Sequence, residues 1–128
     1  MEKRVLISSR DDEENRKLRS FFIERDYQIF IEKPGSRVLY DLMKKDHGLM
    51  FCEIPDVSED AVGTISIIKQ LKPTLPIVTF SQQSSIEDMR KLHELNIYYA
   101  LFKPLQMGEV ETVVNAIEES YKYNRTIP

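Results

Sequence analysis

The sequence predicts a doubly wound α/β fold, a five-stranded and mostly parallel sheet flanked by five helices. Three observations lead there. Short β-rich runs alternate five times with stretches of helical periodicity. The runs "LMFC" and "PIVTF" are continuously apolar, as strands buried on both faces must be. No Gly/Ser linker, repeat or low-complexity tract interrupts the alternation, and 128 residues is the size of one ordinary domain. One domain is therefore expected over residues 1–128, with its core at about 4–120 and a frayed tail at about 121–128.

The elements follow in order. "RVLISS" (Arg4–Ser9) reads as the first strand. The helix after it carries Leu18, Phe21 and Phe22 at i, i+3 and i+4, with Asp11 or Asp12 placed to cap it. "YQIFIE" is the second strand, and the helix beyond Pro34-Gly35 shows Val38, Leu39 and Leu42 on one face. "GLMFCEIPD" holds the third strand, Leu49–Cys52, with Glu53 where it ends. The third helix offers Ile65, Ile68 and Leu71 as its buried stripe. "LPIVTFS" is the fourth strand, and Ser84-Ser85-Ile86-Glu87 reads as a capping box for a helix bearing Met89, Leu92 and Leu95. "IYYALF" is the fifth strand, and the last helix, from about Met107, buries Val110, Val113, Val114 and Ile117.

Composition narrows the function classes. Hydrophobic residues are 41% and charged residues 30%, the balance of a soluble globular chain. A net charge of −3 and a pI near 5.5 give no electrostatic reason to bind nucleic acid or an anionic membrane. No apolar run approaches a membrane span and no cleavable leader is legible, so a cytoplasmic protein is expected. The one cysteine, Cys52, excludes an internal disulfide and a Cys-based zinc cluster, and its apolar strand makes it an inert core thiol. His47 and His93 lack partners at ligand spacing and read as surface residues.

In a parallel sheet of this kind, sites form at the carboxyl ends of the strands beside the switch in strand order. Those ends are Ser9-Arg10-Asp11, Glu53, Ser81 and Lys103. In that order they resemble the receiver domains of bacterial response regulators, over roughly residues 4–120. Lys103-Pro104 after "YYALF", Ser81 closing the fourth strand and the loop "FCEIPDVSEDA" carry the likeness. The resemblance implies a CheY-like sheet of order 2-1-3-4-5 and a signalling role in a two-component or phosphorelay system without enzymatic activity. It also implies a protein partner: a histidine kinase, an effector domain, a regulator, or a second copy. The partner surface would be the fourth helix, fifth strand and fifth helix, where Tyr98, Tyr99 and Ala100 lie. Alternation along the strand puts one of the two tyrosines in the core.

The departures from the family decide the expected chemistry. Its metal-holding acidic pair falls on Ser9 and Arg10, and its phosphoacceptor aspartate on Glu53. Its proline after the phosphosite falls on Val57, with Pro55 displaced, and its aromatic gate falls on Ala100. Mg²⁺ asks for oxygen ligands from carboxylates, and a guanidinium there would repel it. Glu53 also reaches on the order of 1.5 Å further than an aspartate, enough to spoil an in-line transfer. No metal, no cofactor and no efficient phosphorylation are expected, with Glu53 held instead by Lys103 and the Arg10 guanidinium.

Two alternatives stand beside this reading. A bulge after the first strand would bring Asp11 and Asp12 into the acidic positions and restore a phosphorylatable, Mg²⁺-dependent receiver; Asp56 as a displaced acceptor is a weaker version. A flavodoxin-like cofactor binder is the other, resting on "SSR" as a phosphate loop, although that loop has no glycines.

Overall fold

The structure, a computed structural model, describes residues 1–55, 59–82 and 85–126. The strands are β1 (Arg4–Ser8), β2 (Gln28–Glu32), β3 (Leu49–Glu53), β4 (Ile77–Ser81) and β5 (Tyr99–Phe102). The helices are α1 (Asp12–Glu24), α2 (Ser36–Lys44), α3 (Glu59–Leu71), α4 (Ile86–Glu94) and α5 (Met107–Thr126). All neighbouring strands pair in parallel, in the order β2-β1-β3-β4-β5. The chain leaves β1 for β2 on one side and returns for β3 on the other, so the switch point lies between the carboxyl ends of β1 and β3. Ser8 and Glu53 occupy those ends.

Strand side chains alternate between faces, and the core divides accordingly. Val5, Ile7, Leu49 and Phe51 pack with Leu18 and Phe22 of α1 and Val110, Val114 and Ile117 of α5. Leu6 and Met50 pack on the opposite face with Val38 and Leu42 of α2, Ile65 and Ile68 of α3, and Leu92 of α4. Phe22 centres the first layer, its ring edge-on to Tyr27 at 4.9 Å and to Phe51 at 5.6 Å. Asp11 caps α1, its Oδ1 accepting the Glu14 N–H at 3.1 Å.

Several local expectations are corrected. Leu71 is exposed, and Leu75, just past the end of α3, fills the core in its place. Ser85 caps α4, accepting the Asp88 N–H at 3.1 Å, and Ser84 falls outside the described residues. His47 is half-buried because it packs edge-on against Phe30 of β2 at 5.4 Å; His93 is exposed. The expected tail is helical through Thr126, and Tyr121 anchors it by donating to the Gly48 carbonyl at 2.7 Å. Tyr98 and Tyr99 are both exposed, at 40% and 44%, because β5 starts only at Tyr99 and is an edge strand. Among the described residues no helix is long and apolar enough to cross a membrane.

Candidate functional site

Three segments converge at the carboxyl end of the sheet. β3 delivers Glu53, the turn after β1 delivers Ser9, Arg10 and Asp11, and the end of β5 delivers Lys103. The Lys103 ammonium is bonded to Glu53 Oε2 and, at 2.9 Å, to Asp11 Oδ2. Glu53 Oε1 accepts the Arg10 backbone N–H at 2.8 Å and the Ser9 hydroxyl at 3.4 Å. The same Ser9 oxygen accepts the Asp11 N–H at 3.0 Å. Ser9 is buried, and the Glu53 side chain is only 9% exposed.

The electrostatics follow from this contact set. Lys103 first feels burial, which lowers its affinity for a proton, but the hydrogen bonds to Glu53 and Asp11 outweigh it and hold the ammonium above the ordinary lysine range. Asp11 is held below the usual carboxylate range, chiefly by Lys103 and then by the Glu14 N–H. Burial pushes the Cys52 thiol up to about 12, which keeps it inert.

The Arg10 guanidinium does not pair with Glu53. Arg10 is exposed, and it reaches Glu53 through its main-chain amide. The reason is local: the chain turns directly from Ser8 into the Asp11 cap, which aims the amides of this turn inward. The second positive group expected at the site is thus replaced by a second negative one, Asp11. Asp11 enters as the helix cap rather than through a bulged strand, and Asp12 is exposed. Ser81 is buried at the end of β4, and its carbonyl accepts the Lys103 N–H at 2.7 Å. Asp56 and Val57 lie outside the described residues.

An Mg²⁺ ion, which the fold family implies, does not fit these residues. Both oxygens of Glu53 and both of Asp11 already accept bonds from protein donors. Among the described residues no group of three or more His, Cys, Asp or Glu side chains is placed to hold a metal. A phosphoryl acceptor needs a free carboxylate oxygen in line and a cation on the equatorial oxygens. Here each acceptor oxygen already takes a bond from a protein donor, and the cation between the two carboxylates is the half-buried Lys103 ammonium.

Glu14 is part of this site and was not anticipated. It is 3% exposed, pairs with Lys17 at 2.7 Å and accepts the Leu105 N–H at 2.6 Å. Asp11-x-x-Glu14 has capping-box spacing, which marks a polar first turn, but the pattern says nothing of a carboxylate reaching across to the loop after β5.

These features define the class. The chain has the fold of the CheY-like receiver domains of response regulators. A receiver domain of Methanospirillum hungatei superposes with a TM-score of 0.80 at 17% identity, covering 96% of this chain and 99% of that one. A structure described as adenylate cyclase from Rhodopirellula baltica gives a TM-score of 0.80 at 16% identity, covering 98% of this chain and 94% of that one. By sequence, the transcriptional regulatory protein ZraR of Escherichia coli is 21% identical over 103 residues, or 80% of this chain and 23% of that protein. The chain therefore spans about a quarter of the length of the curated relatives it matches. No family model matches it.

Proposed function

We propose that this chain is a single receiver-like signalling domain whose site is set by its own side chains rather than by phosphorylation, and which acts by protein–protein interaction without catalysing a reaction. One observation carries the reading: the Lys103 ammonium bridges Glu53 and Asp11, and every oxygen of the two carboxylates accepts a bond from a protein donor. Glu53 then acts as a fixed charge that a partner reads. The partner is a kinase, an effector domain, a regulator or a second copy, docking on α4, β5 and α5, where Tyr98, Tyr99 and Phe102 are exposed. A cytoplasmic setting fits this role. Neither nucleic acid nor a cofactor is needed. In the "SSR" turn, the phosphate-loop candidate, the Ser9 amide donates to the Glu32 carbonyl and the Arg10 amide to Glu53, and the Asp11 amide that follows donates to Ser9 Oγ.

The test is an Mg²⁺ titration with beryllofluoride, followed by amide NMR of Glu53, Ser81 and the Tyr99–Leu105 segment. The expected result is no saturable shift at millimolar Mg²⁺. A second reading, a phosphorylatable receiver using Asp11 as metal ligand, draws support from the entry of Asp11 into the site. It requires Lys103 to release Asp11, so a saturable, Mg²⁺-dependent shift of the Asp11, Glu53 and Lys103 signals would establish it and overturn the first.

A further inference from the structure

We propose that Glu14 is the positioning residue of this site: with Lys17 it clamps the backbone of Leu105 and so fixes Lys103 between Glu53 and Asp11. The inference takes the Lys103 cluster as the site, and it adds what holds that cluster in place.

Glu14 Oε2 accepts the Leu105 N–H at 2.6 Å, and Lys17 Nζ donates to the Leu105 carbonyl at 3.4 Å. Both polar groups of one loop residue are thus held by one i, i+3 ion pair across the first two turns of α1. Leu105 stands two residues beyond Lys103, whose own N–H is fixed to Ser81 of β4. The segment 103–105 is therefore pinned to β4 on one side and to α1 on the other. Asp11, three residues before Glu14, holds the ammonium itself. The contacts close a ring from Lys103 through Leu105 to Glu14 and back through Asp11 to Lys103, with Glu53 bonded to the ammonium.

Glu14 is not needed to cap the helix. A glutamate at this position ordinarily reaches back to the amide of the cap residue. Here the Asp11 amide is already satisfied by Ser9 Oγ, which leaves Glu14 free to point across the core edge. A carboxylate only 3% exposed persists only where it is paired and hydrogen-bonded, so the clamp geometry is tightly specified.

The test reads Lys103 rather than stability. In the unmodified protein the Lys103 ammonium, bonded to Glu53 and Asp11, is expected to titrate above an ordinary lysine in nitrogen-detected NMR. Its neighbour Leu105 should show amide exchange slowed on the order of tenfold or more relative to an exposed loop amide. Glu14→Ala is expected to return Lys103 toward ordinary lysine behaviour and to release the Leu105 amide. Glu14→Gln keeps an acceptor for that amide and should change both less. Leu18→Ala removes core contacts from the same helix and should lower stability while leaving the Lys103 titration in place. An unchanged Lys103 in folded Glu14→Ala overturns the proposal, as does an equal change in Leu18→Ala. If Glu14→Ala does not fold, the unmodified protein decides: a Leu105 amide exchanging like an exposed one refutes the clamp. A response to Mg²⁺ and beryllofluoride would remove phosphorylation independence but leave the pattern of the variants measured without Mg²⁺ as it is, so the two ideas fail separately.

Discussion

Both ends of the sheet carry a polar cluster that ties α1 to the last third of the chain, and the two clusters differ in charge and footing. At the amino ends of the strands, Glu118 of α5 accepts the Tyr27 hydroxyl at 2.6 Å and pairs with Arg25 at 2.7 Å. One carboxylate meets one guanidinium and one phenol, an ion pair balanced one to one, with Lys3 close by over the Tyr27 ring at 4.7 Å. At the carboxyl ends, two carboxylates share the single ammonium of Lys103. That cluster has an excess negative charge, and its members sit on a strand end, a helix cap and a loop. A balanced cluster on helical footing acts as a rivet. An unbalanced one at the switch point presents a charge to whatever docks there. Similar bond lengths therefore serve different ends, and stoichiometry with placement tells them apart.

The largest effect is expected from Lys103→Met, which leaves Glu53 and Asp11 facing each other without their shared cation. Breaking a buried pair by removing one partner is strongly destabilising, and with both side chains partly hydrated a loss of about 3 kcal/mol at neutral pH is expected. The pH dependence has a definite sign. Asp11 is lowered from 3.8, so its contribution is present above that value and is lost as pH falls through its folded pKa. Lys103 is raised from 10.5, so its contribution is present below that value and is lost as pH rises through its folded pKa. The deficit of the variant should therefore be widest between the two limits and narrow on both flanks, as measured by urea unfolding. A deficit equal at pH 3 and pH 7 would mean that the lysine acts through packing alone.

Gly48→Ala perturbs the opposite end. A Cβ there would lie 2.1 Å from the Glu2 carbonyl oxygen, which is backbone and cannot swing aside, and 2.9 Å from Met1 Cε. Overpacking of this kind is expected to lower stability by about 2 kcal/mol in urea or thermal unfolding. The Lys103 titration should not move. If it did, the two ends would be one cooperative unit and the contrast between rivet and site would fail.

The sheet was legible because burial on both faces writes itself as uninterrupted apolar runs, and "LMFC" and "PIVTF" have no other reading. The strand-end rule brought Ser9, Arg10, Asp11, Glu53, Ser81 and Lys103 forward as one group. What each does was less legible. Arg10 carries a charge in the sequence, but its contribution is a backbone amide, because a turn running straight into a helix cap aims main chain, not side chain, at the centre. Glu14 looks like any acidic residue of a first helical turn, and only tertiary packing shows that it is buried against Leu105. Tyr98 and Tyr99 follow the strand pattern, yet both are exposed, since alternation sorts side chains only where helices cover both faces. Leu71 fails likewise: the helical stripe of Ile65 and Ile68 reaches it, and the chain supplies Leu75 from just beyond α3 instead.

The smallest effect sharpens the comparison most. Tyr27→Phe removes only the hydroxyl, while the ring keeps its packing on Phe22. Glu118 retains Arg25, so no buried charge is left without a partner, and the expected loss is about 1 kcal/mol, the net worth of one hydrogen bond. Burial on its own raises Glu118, but the bonds from Tyr27 and Arg25 outweigh it and hold the carboxyl below 4.5. Its contribution is thus present above 4.5 and is lost as pH falls through the folded value. Without the hydroxyl that folded value moves back up, so the variant should begin to lose stability at a higher pH than the parent on acidification, and its deficit should close once Glu118 is protonated in both. Because the rivet is charge-balanced, losing one neutral donor should cost it less than losing the cation costs the site. A Tyr27→Phe deficit as large as that of Lys103→Met would invert that ranking and make the amino end, not the carboxyl end, the place where this fold concentrates its electrostatic stabilisation.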